Sequence, residues 1–203
     1  KNKIKIKDLV FNKNLKIEEL KNVKSNYLDK DNIKNQFDLI KEKNGYLLLG
    51  KSFNADKLIE NLLDEKNVKN DFFGKNFDLN FNLEKVYLDI DSSIKKLQGK
   101  LSFVKNELSN GNLNALFSQD KKFRFTVKSD INGKVTTLFL DKAEPIIKRY
   151  KFVKGYENGS LDFYSLKKNN ESISTLKIYD FKLKKLPVLT KILTLASLQG
   201  IAD

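Results

Sequence analysis

Asn76-Phe77-Asp78-Leu79-Asn80-Phe81-Asn82-Leu83, continued by Glu84-Lys85-Val86-Tyr87-Leu88-Asp89-Ile90-Asp91, is the stretch from which the fold is read. Phe77, Leu79, Phe81 and Leu83 fall on one side of an extended chain, and Asp78, Asn80 and Asn82 fall on the other. Val86, Leu88 and Ile90 then share a face opposite Asp89 and Asp91. A period of two with one polar side is the pattern of a strand in an antiparallel sheet that has one wet face. Toward the C-terminus the pattern repeats as a meander: Leu97 to Phe103, a turn near Asn106, Leu113 to Phe117, Phe123 to Val127, a turn at Asn132-Gly133, and Val135 to Leu140. Strands follow at Ser160 to Leu166 and Ile173 to Leu183, and the shift of face between Ile178 and Phe181 predicts a bulge at Tyr179-Asp180.

Toward the N-terminus, residues 1 to 20 alternate as a hairpin about Asn12-Lys13-Asn14. Residues 21 to 34 are polar and read as a connection with an irregular strand near Tyr27. A second hairpin turns at Asn44-Gly45, a dipeptide suited to the positive φ angles of a tight turn. Glycines 45, 111, 133 and 159 all follow asparagine, and three of these pairs lie between alternating runs, which predicts tandem hairpins. Three short helices interrupt the strands. Asn54 caps the first, Ala55 to Glu65, with Leu58, Ile59, Leu62 and Leu63 on one face. Asp141 caps the second, Lys142 to Tyr150, with Pro145 in its first turn. The third runs from Val188 to Leu198, between Pro187 and Gly200, and is apolar on nearly every face. It is too short to span a bilayer, so it covers the sheet, a groove or a partner.

Composition narrows the chemistry. With no histidine and no cysteine, the usual zinc sites, Ser-His and Cys-His nucleophiles and the commonest general base are all missing, which argues against an enzyme. The net charge of +13 suggests anionic partners, yet of 39 basic residues only Arg124 and Arg149 are arginine. Base-edge and bidentate phosphate recognition favour arginine. Lysines spread through every segment beside many asparagines look like a solvated surface and the codon bias of an AT-rich genome, so no nucleic-acid partner is expected. Attraction to anionic lipid headgroups remains reasonable. The absence of methionine suggests a piece of a longer protein, with any anchor or targeting segment outside it.

Candidate sites of other kinds are weak. Asp89-x-Asp91 puts two carboxylates on one strand face, enough for a wet side but not for a metal or an acid-base pair. Asp29, Asp31 and Asn32 lack the glycine and terminal glutamate of a calcium loop. There is no glycine-rich phosphate loop, and no cofactor is expected. What stands out is the run of Phe77, Phe81, Phe103, Phe123, Phe125 and Phe163 on one face of successive strands. Such a face is either the core of a closed sandwich or barrel, or the concave side of an open sheet that shelters lipid tails. At roughly 0.8 kcal/mol per methylene, a sixteen-carbon tail needs about 13 kcal/mol of apolar shelter to leave a bilayer. About ten strands at ~4.8 Å would make such a trough ~48 Å long.

Lys96-Leu97-Gln98-Gly99-Lys100-Leu101, then Leu138-Phe139-Leu140-Asp141-Lys142-Ala143-Glu144-Pro145-Ile146-Ile147, then Asn158-Gly159-Ser160-Leu161 resemble, in this order, the AsmA-like superfamily and in particular its YhdP-like branch. The ending, Leu176-Lys177-Ile178-Tyr179-Asp180-Phe181-Lys182-Leu183 with Leu186-Pro187-Val188-Leu189 and Ala196-Ser197-Leu198-Gln199-Gly200, is similar to that branch's C-terminal region. The likeness covers about residues 76 to 203 and departs at Ser174-Thr175, where a glycine would precede the strand. It implies a mainly β fold, a long curved antiparallel sheet forming an open groove. The whole chain, 1–203, would be one segment of a larger β-groove protein, with possible sub-units 1–75 and 76–203. It further implies a periplasmic part of an inner-membrane-anchored protein of a Gram-negative envelope, which carries phospholipids between the membranes without catalysis and with possible envelope protein partners. The groove would be lined by Phe77, Leu79, Phe81, Leu88, Leu101, Phe103, Phe123, Phe125, Val127, Leu138, Leu140, Leu161, Phe163, Leu176 and Ile178. Leu189, Ile192, Leu193, Leu195 and Leu198 of the last helix would act as a cover or contact. The reading from another class is a closed β-sandwich scaffold or adhesion module that binds a protein partner; a basic nucleic-acid-binding domain is a third.

Overall fold

The computed structural model describes residues 2–13, 15, 17–57, 59, 76–105, 107–148, 155–169 and 171–183. Eleven strands follow one another in space in the order in which they occur in the chain. They are β1 (Lys3–Phe11), β2 (Ile17–Leu28), β3 (Lys34–Glu42), β4 (Gly45–Asn54), β5 (Phe77–Tyr87), β6 (Ser93–Val104), β7 (Glu107–Leu116), β8 (Lys122–Asp130), β9 (Gly133–Leu140), β10 (Tyr156–Lys168) and β11 (Glu171–Leu183). Among the described residues they form one sheet whose outermost strands are β1 and β11, neither closed into a barrel nor paired as a sandwich. Every residue of the edge strand β1 is exposed, and Lys3, Lys5 and Lys7 alternate along it, a charge pattern that discourages edge-to-edge pairing.

The sheet is mixed, not wholly antiparallel: β4 and β5 run parallel. A parallel neighbour requires a connection that returns along the full strand length, which a two-residue turn cannot supply and residues 55–76 can. This connection starts as a helical turn. Asn54 Oδ1 accepts the Asp56 N–H at 3.0 Å, the predicted cap, and the Ile59 N–H donates to the Ala55 carbonyl. Most of the first predicted helix and all of the third lie outside the described residues. The second is shorter than expected: α1 covers Glu144–Ile147, with Pro145 at its start. Asp141 does not cap it; its Oδ2 accepts the Lys122 N–H at 2.7 Å and ties β8 to the end of β9.

Four further expectations are corrected. Residues 21 to 34 are mostly regular strand, since β2 continues to Leu28 and pairs on both sides. Asn44-Gly45 does not supply positive φ angles. The turn residues are Lys43 and Asn44, and Gly45 opposes Glu42. Glycine is needed there because a Cβ would lie 1.9 Å from the Asp78 carbonyl oxygen, where β5 docks alongside. Of the other Asn-Gly pairs, Asn110-Gly111 and Asn158-Gly159 lie inside strands rather than at turns. Finally, Asp180 (φ 53) does break the alternation, but no residue is extra. The β10–β11 register is unchanged on either side, because Asn158 (φ 61) and Gly159 (φ 79) bend β10 at the same level.

The core gathers at one end of the sheet. Leu83, Val86, Leu88, Ile94, Leu97, Phe117, Leu140, Leu161 and Tyr156 are buried there with Ala143, Ile146 and Ile147 around α1. Each fully buried Leu or Ile contributes about 1.5–3 kcal/mol, so this end anchors the sheet.

Candidate functional site

Cross-strand register gives the apolar face its geometry. One row crosses all eleven strands: Ile6, Val23, Leu39, Leu48, Phe81, Gly99, Leu113, Phe125, Leu138, Phe163 and Leu176, each the direct partner of the next. Direct partners point to the same side of a sheet, so the row is continuous. The row nearer α1 includes Leu83, Leu97, Phe123, Leu140, Leu161 and Ile178. The row on the other side begins Tyr46, Leu79, Leu101, Gly111 and Val127. Gly99 has φ 141, and a Cβ there would meet the Asn112 carbonyl oxygen at 1.9 Å, so only glycine fits at this position of the row.

The opposite face is polar from β5 onward. Asn80, Lys100, Asn112, Thr126, Thr137, Tyr164 and Thr175 are successive partners, and the Thr126 and Thr137 hydroxyls hydrogen-bond at 2.6 Å. Over β3 and β4 the division is less sharp, because Ile40, Leu47 and Leu49 lie on that side. Asp78, on the polar side, accepts from Lys100 Nζ and Ser102 Oγ, each at 2.7 Å, and these two contacts hold its carboxyl below the usual range.

Fourteen of the fifteen predicted lining residues lie in strands on the apolar face. Phe77, Leu79, Phe81, Leu101, Phe103, Phe123, Phe125, Leu176 and Ile178 are half-buried; Val127, Leu138, Leu140, Leu161 and Phe163 are buried. Phe77 and Phe103 stack with centroids 4.7 Å apart. Leu88 differs. It lies past the end of β5, in a bend whose N–H donates to Ser92, and belongs to the packed core. Asp89 and Asp91 share that bend rather than a strand face: Asp89 Oδ1 accepts the Asp91 N–H at 2.8 Å, and Ile90 is exposed. The five residues named in the last helix lie outside the described residues. Leu39, Leu48, Leu97, Leu113 and Gly99 were not predicted. Leu97 and Leu113 stand in plain alternation, while Leu39 and Leu48 precede the stretch that carries the family likeness.

Asp29 is a structural hub. Its Oδ1 accepts the Asp31 and Ile33 N–H groups, and its Oδ2 accepts Asn35 Nδ2 and Asn54 Nδ2, at 2.7–3.1 Å. At the end of the sheet away from α1, a cavity of about 610 Å³ is lined by Tyr46, Phe77, Phe103, Lys41, Lys43 and Glu18 among others. Lys41 Nζ stands 4.8 Å over the Tyr46 ring, and burial, with the Glu19 carboxylate, pushes the Tyr46 phenol up. Among the described residues no three His, Cys, Asp or Glu side chains gather as a metal site, and no helix is long and apolar enough to cross a membrane.

Fold and face together define an open, single-layer β-sheet with one apolar and one largely polar side. No family model, curated protein or solved structure matches this chain.

Proposed function

We propose that this chain is a segment of a lipid-conducting β-groove, in which the sheet curves so that the apolar face is concave and shelters phospholipid acyl chains. The observation that carries this is the unbroken row from Ile6 to Leu176, one side chain per strand on every strand but β6, where Gly99 stands. Eleven strands at ~4.8 Å give a path of ~48 Å, and half-buried phenylalanines along it offer replaceable contacts rather than a fixed core. The motif likeness to the AsmA-like superfamily supports the same reading. It adds the setting: the periplasm, as part of a protein anchored in the inner membrane, with phospholipid moving toward the outer membrane and no chemistry performed on it.

The test is native mass spectrometry with lipid extraction on the chain purified gently from a Gram-negative periplasm. Diacyl phospholipid at more than trace occupancy is expected. Changing Phe81, Phe103 and Phe125 to aspartate should abolish it while far-ultraviolet circular dichroism is unchanged, because all three are only partly buried and none belongs to the buried cluster itself, although Phe81 and Phe125 pack against its margin. A cooperatively folded wild-type chain without lipid, or a triple variant that retains it, refutes the groove and favours a protein-binding module.

A further inference from the structure

The polar face of the sheet turns apolar where β9 to β11 approach the end away from α1. Val135, Leu166 and Ile173 are successive partners there, two residues further along each strand than Thr137, Tyr164 and Thr175. Leu166 Cδ1 lies 3.4 Å from where a Cβ on Gly133 would stand, so the row reaches the β8–β9 turn, whose first residue is Ile131. Ile131 is 99% exposed and Ile173 72%. With Leu15 of the β1–β2 turn they are the three most exposed large apolar residues among those described, and all three lie at this end. A solitary exposed aliphatic is ordinary, but apolar side chains grouped on one face of neighbouring hairpins mark a contact surface.

Charge decides what that surface contacts. Lys128 continues the row of Val135 on β8, Lys168 ends β10, and both are exposed. Residues 128–134 and 167–171 together hold four lysines against two carboxylates, Asp130 and Glu171, and Asp130 Oδ1 already accepts the Asn132 N–H at 2.7 Å. The chain as a whole carries +13, so a second copy of it is repelled and an anionic surface is attracted.

We infer that the ends of β8 to β11 away from α1 dock on an anionic lipid bilayer, with Ile131 and Ile173 entering the headgroup boundary and Lys128 and Lys168 facing lipid phosphates. Apolar side chains give the contact depth and lysines bring it to the surface, the two signals that a reversible interfacial anchor combines. The inference is independent of the groove: it concerns the opposite face and needs no lipid to leave the bilayer.

The chain has no tryptophan, so Ile131→Trp and Ile90→Trp each carry a single reporter, the second in an exposed bend at the α1 end. Both are mixed at low salt with vesicles of equimolar phosphatidylglycerol and phosphatidylcholine whose acyl chains are brominated. The emission of Ile131→Trp should shift to the blue and be quenched, and that of Ile90→Trp should not. Burying an isoleucine is worth roughly tenfold or more in partitioning, and a lysine near the surface roughly fivefold. In flotation with the same lipids unbrominated, Ile131→Ser with Ile173→Ser should therefore bind at least tenfold more weakly than wild type, and Lys128→Gln with Lys168→Gln about tenfold or more. All four positions are exposed, so these variants should melt with wild type. Wild type that does not float, quenching that is equal at the two reporters, or double variants that bind as wild type does each overturn the assignment. Self-association at micromolar concentration that Ile131→Ser abolishes, without vesicle binding, overturns it in favour of a second copy. Uptake of lipid by the chain enters none of these readouts, so they hold whether or not the groove reading does.

Discussion

Tyr156→Phe should make this protein more stable, although it removes a polar group from the core. Tyr156 opens β10, is 1% exposed, and stacks on Phe181 with centroids 5.7 Å apart and planes at 10°. Its hydroxyl has no partner among the described residues. The Oη lies over Gly159, close enough that a Cβ there would stand 2.4 Å from it. An unsatisfied buried hydroxyl costs about 1–3 kcal/mol, and phenylalanine keeps the ring and its stacking while removing that cost. A gain of about 1 kcal/mol corresponds to a rise of ~2–4 °C in Tm for a chain of this size. The pH dependence gives an independent reading. Burial, and secondarily the Glu144 carboxylate, push the phenol up to about 12. The unfolded chain ionises near 10, so this group's contribution is intact below pH 10 and is lost as the pH rises from about 10 through about 12. Urea titrations of both proteins at pH 7 and across pH 9 to 12 should show a constant advantage for phenylalanine that widens above pH 10. A variant less stable at pH 7 by more than about 0.5 kcal/mol, or a difference that does not change above pH 10, refutes the reasoning.

Two further outcomes follow from the packing and the hub. Leu140 is 0% exposed between Phe123 and Leu161, so Leu140→Ala should cost about 2–5 kcal/mol in a denaturant titration; less than 1 kcal/mol would mean that the α1 end is loosely packed. Asp29→Ala removes the acceptor of four hydrogen bonds and should cost about 2 kcal/mol or more. Burial raises the Asp29 carboxyl, but the bonds from Asn54, Ile33, Asp31 and Asn35 together outweigh it and leave the pKa lowered. Its contribution is therefore present above pH ~4 and lost as the pH falls through the lower folded value, and the variant should lack that part of the acid limb in a stability–pH profile.

The strands were legible wherever one face is apolar and the other wet, because a period of two is what such a sheet imposes on side chains. β2 was less legible because the side chains it buries include Ser25, and the hub that fixes its end relies on buried Asn35, which no hydrophobic pattern marks. The parallel β4–β5 pair could not be read from alternation, which records the face of a residue and not the direction of its neighbour. The only signal was the predicted helix between the two strands, the usual form of a connection that returns to the starting end. For the candidate site, Phe81, Phe125, Phe163 and Leu176 were found one strand at a time. That they form one row is a matter of register, set by turns and bulges such as those at Gln36/Phe37 and Ser102/Phe103.

Strict alternation holds across the middle of the sheet and gives way near α1, and the difference separates stability from the proposed transport. Leu83 and Val86 on β5, and Ile94 and Leu97 on β6, are all buried although each pair is three residues apart; Lys96 at φ 54 marks the break. Ile178 and Phe181, both partly buried, likewise pack against the core from β11 across Asp180 at φ 53. A non-glycine residue in the left-handed region costs roughly 1 kcal/mol or more, which is offset because each break turns an additional large side chain toward the core. Beyond these breaks, Phe77, Phe81, Phe103 and Phe125 remain only partly buried on regular strands, with Phe81 and Phe125 at the margin of the buried cluster. In the proposed groove, lipid would replace the water over the exposed edges of those rings and leave the buried cluster intact. This is why charge at Phe81, Phe103 and Phe125 should abolish lipid retention at little cost to the fold, whereas trimming Leu140 should do the reverse.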